Sequence, residues 1–304
     1  MKRLEFHIAY DCFNNCIFCS ERSQLKRLGK KNVRERKIKQ ILLSSNQSGF
    51  NHVTFTGGEP TLHPNFIEML QFSKKLGYAT YVTTNGGLFS KKMFAKNALK
   101  HLDEICFSIH GHNPKLHNSH TGNKKSFRIL NQALKNFNMS RCSATGFANV
   151  VLTKKNIRFV CDIINLISRF KKIKQMLISN IAPEGQALLD FKNIALPLKQ
   201  IKEQVSPIAK LARQKSITVR FFGMPLCILS GYEDFSNDLH WSPRVTFELW
   251  KVKNRVFLKK TTSYKPTRNR IKTSRCNKCS KRNVCGGIFT KYYKEFGDSE
   301  LLTI

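Results

Sequence analysis

The chain reads as an α/β protein: a parallel sheet curled into a barrel or partial barrel, followed by a small cysteine-rich α+β unit. Three observations predict this. Strand-like stretches alternate with helical ones six times in the first 185 residues, the pattern of β-then-α units that pair in parallel. The connections are short, which favours closure toward a barrel. The residues least suited to packing fall after successive strands, where such folds carry their chemistry.

The elements follow in order. Arg3 to Tyr10 is a strand that runs directly into a cysteine cluster, and Val33 to Ser48 is a helix. Asn51 to Thr56 is a strand that closes at Gly57-Gly58-Glu59-Pro60, with Asn65 to Lys75 helical behind it. Ala79 to Thr84 is a strand stopped by Asn85-Gly86-Gly87, followed by a helix from Ser90 to Leu99. Glu104 to Ile109 is the fourth strand and Ser126 to Phe137 the next helix. Ala144 to Leu152 and Met176 to Ile181 supply two more strands around an amphipathic stretch from Ile157 to Phe170. After Pro183-Glu184-Gly185 the pattern changes, so residues 1–185 are read as the barrel and 186–304 as a second, smaller domain. That part holds a helix from about Leu198 to Gln214, a strand from Ile217 to Phe222 and a hairpin within Arg244 to Lys259 that turns at Lys253-Asn254.

Composition narrows the class. The 304 residues carry 53 Lys and Arg against 19 Asp and Glu, a net charge of +34. A hydrophobic fraction of 41% offsets chain entropy and excludes intrinsic disorder. No apolar run reaches the roughly 18 residues of a membrane span, and the start, Met1 to His7, lacks a signal-peptide core, so a cytoplasmic protein is expected. In a reducing compartment the ten cysteines point to metal ligation rather than disulfides. The charge attracts RNA, but the basic residues are spread chain-wide and read first as a solvated surface.

The chemistry concentrates in the first cluster, Cys12-Phe-Asn-Asn-Cys16-Ile-Phe-Cys19. Three thiolates on one loop can hold three corners of a cubane cluster and leave the fourth iron without a protein ligand. A zinc site completed by a distant histidine uses the same spacing. With Phe18 before Cys19, the run resembles the C-x3-C-x-aromatic-C motif of the radical S-adenosylmethionine (SAM) superfamily. Gly57-Gly58-Glu59-Pro60 resembles that family's GGEP motif, in which glycine backbone can approach the methionyl group and Glu59 can accept from its ammonium. Asn85 and Ser108 stand where the family contacts SAM, Ser108 toward the ribose, and Asn149 is a weaker candidate. The sequence Ser108-Ile109-His110-Gly111 replaces the commoner Ser-x-Asp-Gly, and His110 reads first as a hydrogen-bonded structural histidine.

The resemblance covers about residues 3 to 185 and implies a partial (β/α)6 TIM-type barrel. It further implies a 4Fe-4S cluster on Cys12, Cys16 and Cys19, with SAM chelated at the open iron and Phe18 near the adenine. Reductive cleavage of SAM then gives a 5′-deoxyadenosyl radical that abstracts hydrogen from substrate. The electron would come from a protein such as a ferredoxin or flavodoxin.

Cys276-Asn-Lys-Cys279 and Cys285 form a C-x2-C-x5-C run, with Cys227 as a fourth thiolate. This resembles the twitch and SPASM extensions of the superfamily and implies a second, auxiliary 4Fe-4S cluster; Phe289 stands where SPASM domains place a further cysteine. A structural zinc ribbon uses the same four residues. Cys106, Cys142 and Cys161 read as buried apolar cysteines. The resemblance suggests first a peptide or protein substrate, second RNA or a nucleotide or cofactor precursor. From the residues alone, a non-enzymatic zinc-dependent RNA-binding protein is the third reading, and it leaves Gly57-Gly58-Glu59-Pro60 unexplained.

Overall fold

The computed structural model describes residues 2–304; Met1, the first residue of the leader reading above, lies outside them. The first half runs β1 (Arg3–Ala9), α1 (Arg22–Leu28), α2 (Glu35–Gln47), β2 (His52–Gly57), α3 (Phe66–Lys75), β3 (Ala79–Thr84), α4 (Lys92–Leu99), β4 (Glu104–Ser108), α5 (Pro114–Thr121) and α6 (Ser126–Met139). It continues through β5 (Thr145–Val151), α7 (Val160–Ile167), β6 (Ile173–Ser179), α8 (Gly185–Leu189), α9 (Phe191–Ile194) and α10 (Leu198–Gln214). The remainder is β7 (Thr218–Phe222), β8 (Arg244–Val252), β9 (Arg255–Ser263), β10 (Arg270–Ile271), β11 (Ile288–Phe289) and α11 (Thr290–Phe296).

Nine strands form one sheet in the order β7-β6-β5-β4-β3-β2-β1-β8-β9, parallel except for the β8–β9 pair. This is the expected partial barrel. Parallel strands covered on both faces are usually apolar throughout; here they alternate. Phe55, Val82, Phe107, Ala148 and Met176 are buried on the helix-covered face. Thr54, Thr56, Tyr81, Thr83, Asn149, Gln175 and Ser179 turn to the lumen and border a cavity there. A polar lumen lacks the packed side-chain layers of a closed barrel and leaves room for a ligand.

Several expectations shift. The sixth strand is Ile173–Ser179 rather than 176–181, because Ile173, Met176 and Ile178 supply the buried face. The hairpin turns at Lys253-Asn254 but continues to Ser263, and β8 pairs in parallel with β1 from Arg3↔Arg244 to Phe6↔Phe247. The strand Thr218–Phe222 pairs in parallel with β6. The sheet therefore continues past residue 185 at both edges, and the boundary expected near 186 does not coincide with its end. Helix α5 was not anticipated: its Asn and Ser content lowers helix propensity. It is set by local capping, with Pro114 in the first turn, Asn113 Oδ1 accepting from Leu116 N–H at 2.9 Å, and left-handed Gly122 at its end. No helix of the described residues is long and apolar enough to cross a membrane.

Candidate active site

At the carboxyl ends of the strands, Cys12, Cys16, Phe18, Cys19, Gly57, Gly58, Asn85, Ser108 and Asn149 all border one cleft. The cysteine loop is held from outside the barrel by the end of α5. Asn15 N–H donates to Thr121 O at 2.7 Å and Ile17 N–H to His120 O at 3.0 Å. Gly122 makes that approach possible, since a Cβ there would stand 2.8 Å from Asn15 O.

Burial pushes the thiols of Cys12, Cys16 and Cys19 up, Cys12 to about 12, so each holds its proton unless a metal displaces it. All three cysteines line the same cleft. Cys12 Sγ accepts hydrogen bonds from Asn14 N–H and from Asn85 Nδ2, both at 3.4 Å.

The glycine pair serves backbone docking. Gly58 N–H donates to Ala9 O and Glu59 N–H to Asp11 O, both at 2.8 Å, which zips this turn onto the exit of β1. A Cβ on Gly57 would lie 2.6 Å from Ala9 O, and one on Gly58 would lie 2.3 Å from Asp11 O. Glu59 behaves differently from the sequence expectation: fully buried, it does not border the cleft. Its Oε1 accepts from Thr61 N–H at 3.2 Å and from the hydroxyls of Thr61 and Thr84 at 2.8 Å each, and its Oε2 accepts from Asn85 N–H at 2.8 Å. The carboxylate organises the Thr84-Asn85 turn from behind. Burial nevertheless pushes its pKa above the usual carboxylate value.

On the opposite wall Phe18 meets His110 edge-on, with centroids 4.6 Å apart. His110 Nδ1 accepts from Val151 N–H at 3.4 Å, which leaves the ring proton on Nε2. Burial, reinforced by the neighbouring rings of His117 and His120, keeps His110 neutral. His110 is thus hydrogen-bonded, and its ring also borders the cleft. Ser108 is in register with Asn149, whose Oδ1 accepts from Ser179 Oγ at 2.9 Å. Beneath the cleft the lumen cavity shares Thr56, Thr83, Asn149, Ser179 and Phe222 with it and reaches down to Arg3, Glu104 and Arg244. At its side Trp241 stacks on Phe222 with centroids 6.1 Å apart, and the Arg244 guanidinium lies 4.1 Å from the indole centroid. This aromatic and cationic edge was missed because Trp241 lies in 223–243, which has no periodic pattern, and only the fold brings it to Phe222 and Arg244.

In the tail, Cys227, Cys276, Cys279 and Cys285 line a single small concavity. Cys285 Sγ accepts from Leu226 N–H and Gly287 N–H at 3.4 Å each. Of the other cysteines, Cys106 is buried as expected. Cys142 and Cys161 are only half-buried, and Cys142 Sγ meets Ser140 Oγ at 3.1 Å.

The family model described as the radical SAM superfamily matches residues 7–167, just over half of the chain. The chain belongs to the radical SAM superfamily. It is therefore a radical SAM enzyme, and membership implies a 4Fe-4S cluster and SAM, which the cysteine loop and its cleft fit. A probable GTP 3′,8-cyclase of Pyrococcus abyssi is 25% identical over 70% of this chain and 68% of its own length. An S-adenosylmethionine-dependent nucleotide dehydratase of Flammeovirga pacifica is 26% identical over 68% and 72%. Among solved structures, Streptococcus suis SuiB bound to S-adenosylmethionine superposes with a TM-score of 0.64 at 16% identity, covering 99% of this chain and 76% of that one. SuiB bound to its precursor peptide SuiA gives 0.60 at 17% identity, with 80% of this radical SAM chain matching 56% of that chain. These likenesses show the shared fold.

Proposed function

We propose that this radical SAM enzyme directs hydrogen abstraction into its own barrel lumen, onto a compact polar substrate of the nucleotide class. The continuity of the cysteine-lined cleft with the polar lumen carries this reading. When bound on Cys12, Cys16 and Cys19, a 4Fe-4S cluster supplies the electron for reductive cleavage of SAM. The chain's residues do the rest. Gly57 and Gly58 keep the floor of the cleft at backbone height, Phe18 offers a ring face, and Ser108 and Asn149 present polar groups where cleft and lumen meet. The Phe222–Trp241–Arg244 edge suits a planar, anionic molecule, and the cyclase and dehydratase relatives are named for nucleotides.

A peptide or protein substrate is the second reading, favoured by the fold shared with SuiB, which has been solved with a peptide bound. The test is production of 5′-deoxyadenosine by reduced enzyme offered nucleoside triphosphates or a peptide encoded beside its gene. Stimulation by the peptide and by no nucleotide would overturn the first reading.

The four tail cysteines are assigned to an auxiliary 4Fe-4S cluster. All four line one small concavity. The backbone N–H bonds to Cys285 Sγ suit a cluster thiolate. Iron and zinc analysis of anaerobically prepared protein tests this, and stoichiometric zinc without a second cluster would refute it. An acidic ferredoxin or flavodoxin suits a chain of +34 charge as electron donor.

A further inference from the structure

We propose that Asn85 is a positioning residue that sets how readily the cluster on Cys12, Cys16 and Cys19 is reduced, through the hydrogen bond from its side-chain amide to the Cys12 sulfur. The proposal rests on the assignment of that triplet as the cluster site. Among the described residues, Asn85 provides the only side-chain hydrogen bond to any of the three sulfurs, Nδ2 to Sγ at 3.4 Å.

The amide is oriented by its own partners. Gly87 N–H donates to Asn85 Oδ1 at 3.0 Å, so the oxygen side is committed and the NH2 side faces the sulfur. The backbone beneath it is held as well, because Asn85 N–H donates to the buried Glu59 carboxylate at 2.8 Å. Gly87 keeps that carboxylate close, since a Cβ there would lie 2.8 Å from Glu59 Oε1 and 2.3 Å from Thr61 Oγ1. Glu59, Thr84, Asn85 and Gly87 thus form one rigid bracket whose outward end is an N–H donor on Cys12.

A thiolate bound to iron keeps lone pairs that accept such a bond. Reduction adds negative charge to the cluster and its sulfurs, and a donor on sulfur favours the more negative state. Removing the donor therefore makes reduction harder while the three ligands stay in place. Asn85 needs no contact with substrate for this role.

The experiment is a redox titration of anaerobically reconstituted full-length protein. It follows the EPR signal of the reduced cluster that changes on addition of SAM, which separates it from the tail site. Asn85→Ala is expected to make reduction about tenfold less favourable, a midpoint about 59 mV lower for one electron. Asn85→Asp keeps the size and the acceptor for Gly87 N–H but sets an anionic oxygen toward sulfur; it is expected to lower the midpoint further. A midpoint unchanged in both variants overturns the proposal. So does loss of the cluster from both, since Asn85 would then be needed for ligation rather than potential. Wild-type protein that assembles no SAM-responsive cluster would instead strike the assignment of the triplet itself.

Discussion

Replacing Glu59 probes the scaffold beneath the site. Its carboxylate takes four hydrogen bonds, from the N–H groups of Thr61 and Asn85 and the hydroxyls of Thr61 and Thr84, and is wholly shielded from water. Glu59→Ala strands two buried backbone donors, at about 1–3 kcal/mol each. The two hydroxyls are free to rotate toward other acceptors, so the expected loss is about 2–6 kcal/mol. Glu59→Gln keeps the shape but turns one acceptor into a donor facing a donor, at about 1–3 kcal/mol. Urea unfolding of the metal-free chain measures both. The pH dependence adds a signature. Burial raises the Glu59 pKa above 4.5, so the folded state holds this proton more tightly than the unfolded chain does. Stability from this group falls as pH climbs from 4.5 to the raised value, and Glu59→Gln should remove that slope. If both variants unfold within 0.5 kcal/mol of wild type, the bracket does not depend on Glu59, and its carboxylate is held for a ligand instead.

Other outcomes follow from the same contacts. Gly58→Ala places a methyl 2.3 Å from Asp11 O; with backbone on both sides it should lower the melting temperature and the iron bound, read by calorimetry and iron analysis. Cys16→Ala should abolish 5′-deoxyadenosine formation while the tail site still holds iron, by product assay and metal analysis. Cys279→Ala should remove only the second cluster's iron, with the SAM-responsive EPR signal retained. Burial pushes the His7 imidazolium pKa down, but Glu21 and Glu5 on either side outweigh this and raise it well above 6.5. Its stabilisation is full below pH 6.5 and is lost as pH rises through the raised value. His7→Gln should flatten that limb in thermal unfolding between neutral and alkaline pH.

The cysteine triplet, Gly57-Gly58-Glu59-Pro60 and the strands beneath them could be read because each is local. A strand shows as a run of six or seven residues, and three cysteines lie on one loop of eight. The role of Glu59 could not be read. Its partners Thr84 and Asn85 are 25 and 26 residues away, and only the pairing of β2 with β3 brings them to its carboxylate. The support of the cysteine loop by α5 was equally hidden, since Asn15 meets Thr121 across a long separation and α5 has weak intrinsic helix propensity.

Short-range pattern settles which residues this protein can use: three sulfurs on a loop, a glycine pair, small polar groups at strand ends and four more sulfurs downstream. Those follow from spacing along the chain, which is a covalent property. Which of them meet, and which side chain faces ligand or backbone, depends on strand register and on how closely two backbones approach. Parallel pairing of β8 with β1 extends the sheet with a hairpin that looked like part of another domain. Long-range packing places Cys227 beside Cys285 and turns the Asn85 amide toward Cys12. Contacts of that kind are paid for in chain-closure entropy by the whole core, so no local window of sequence contains them.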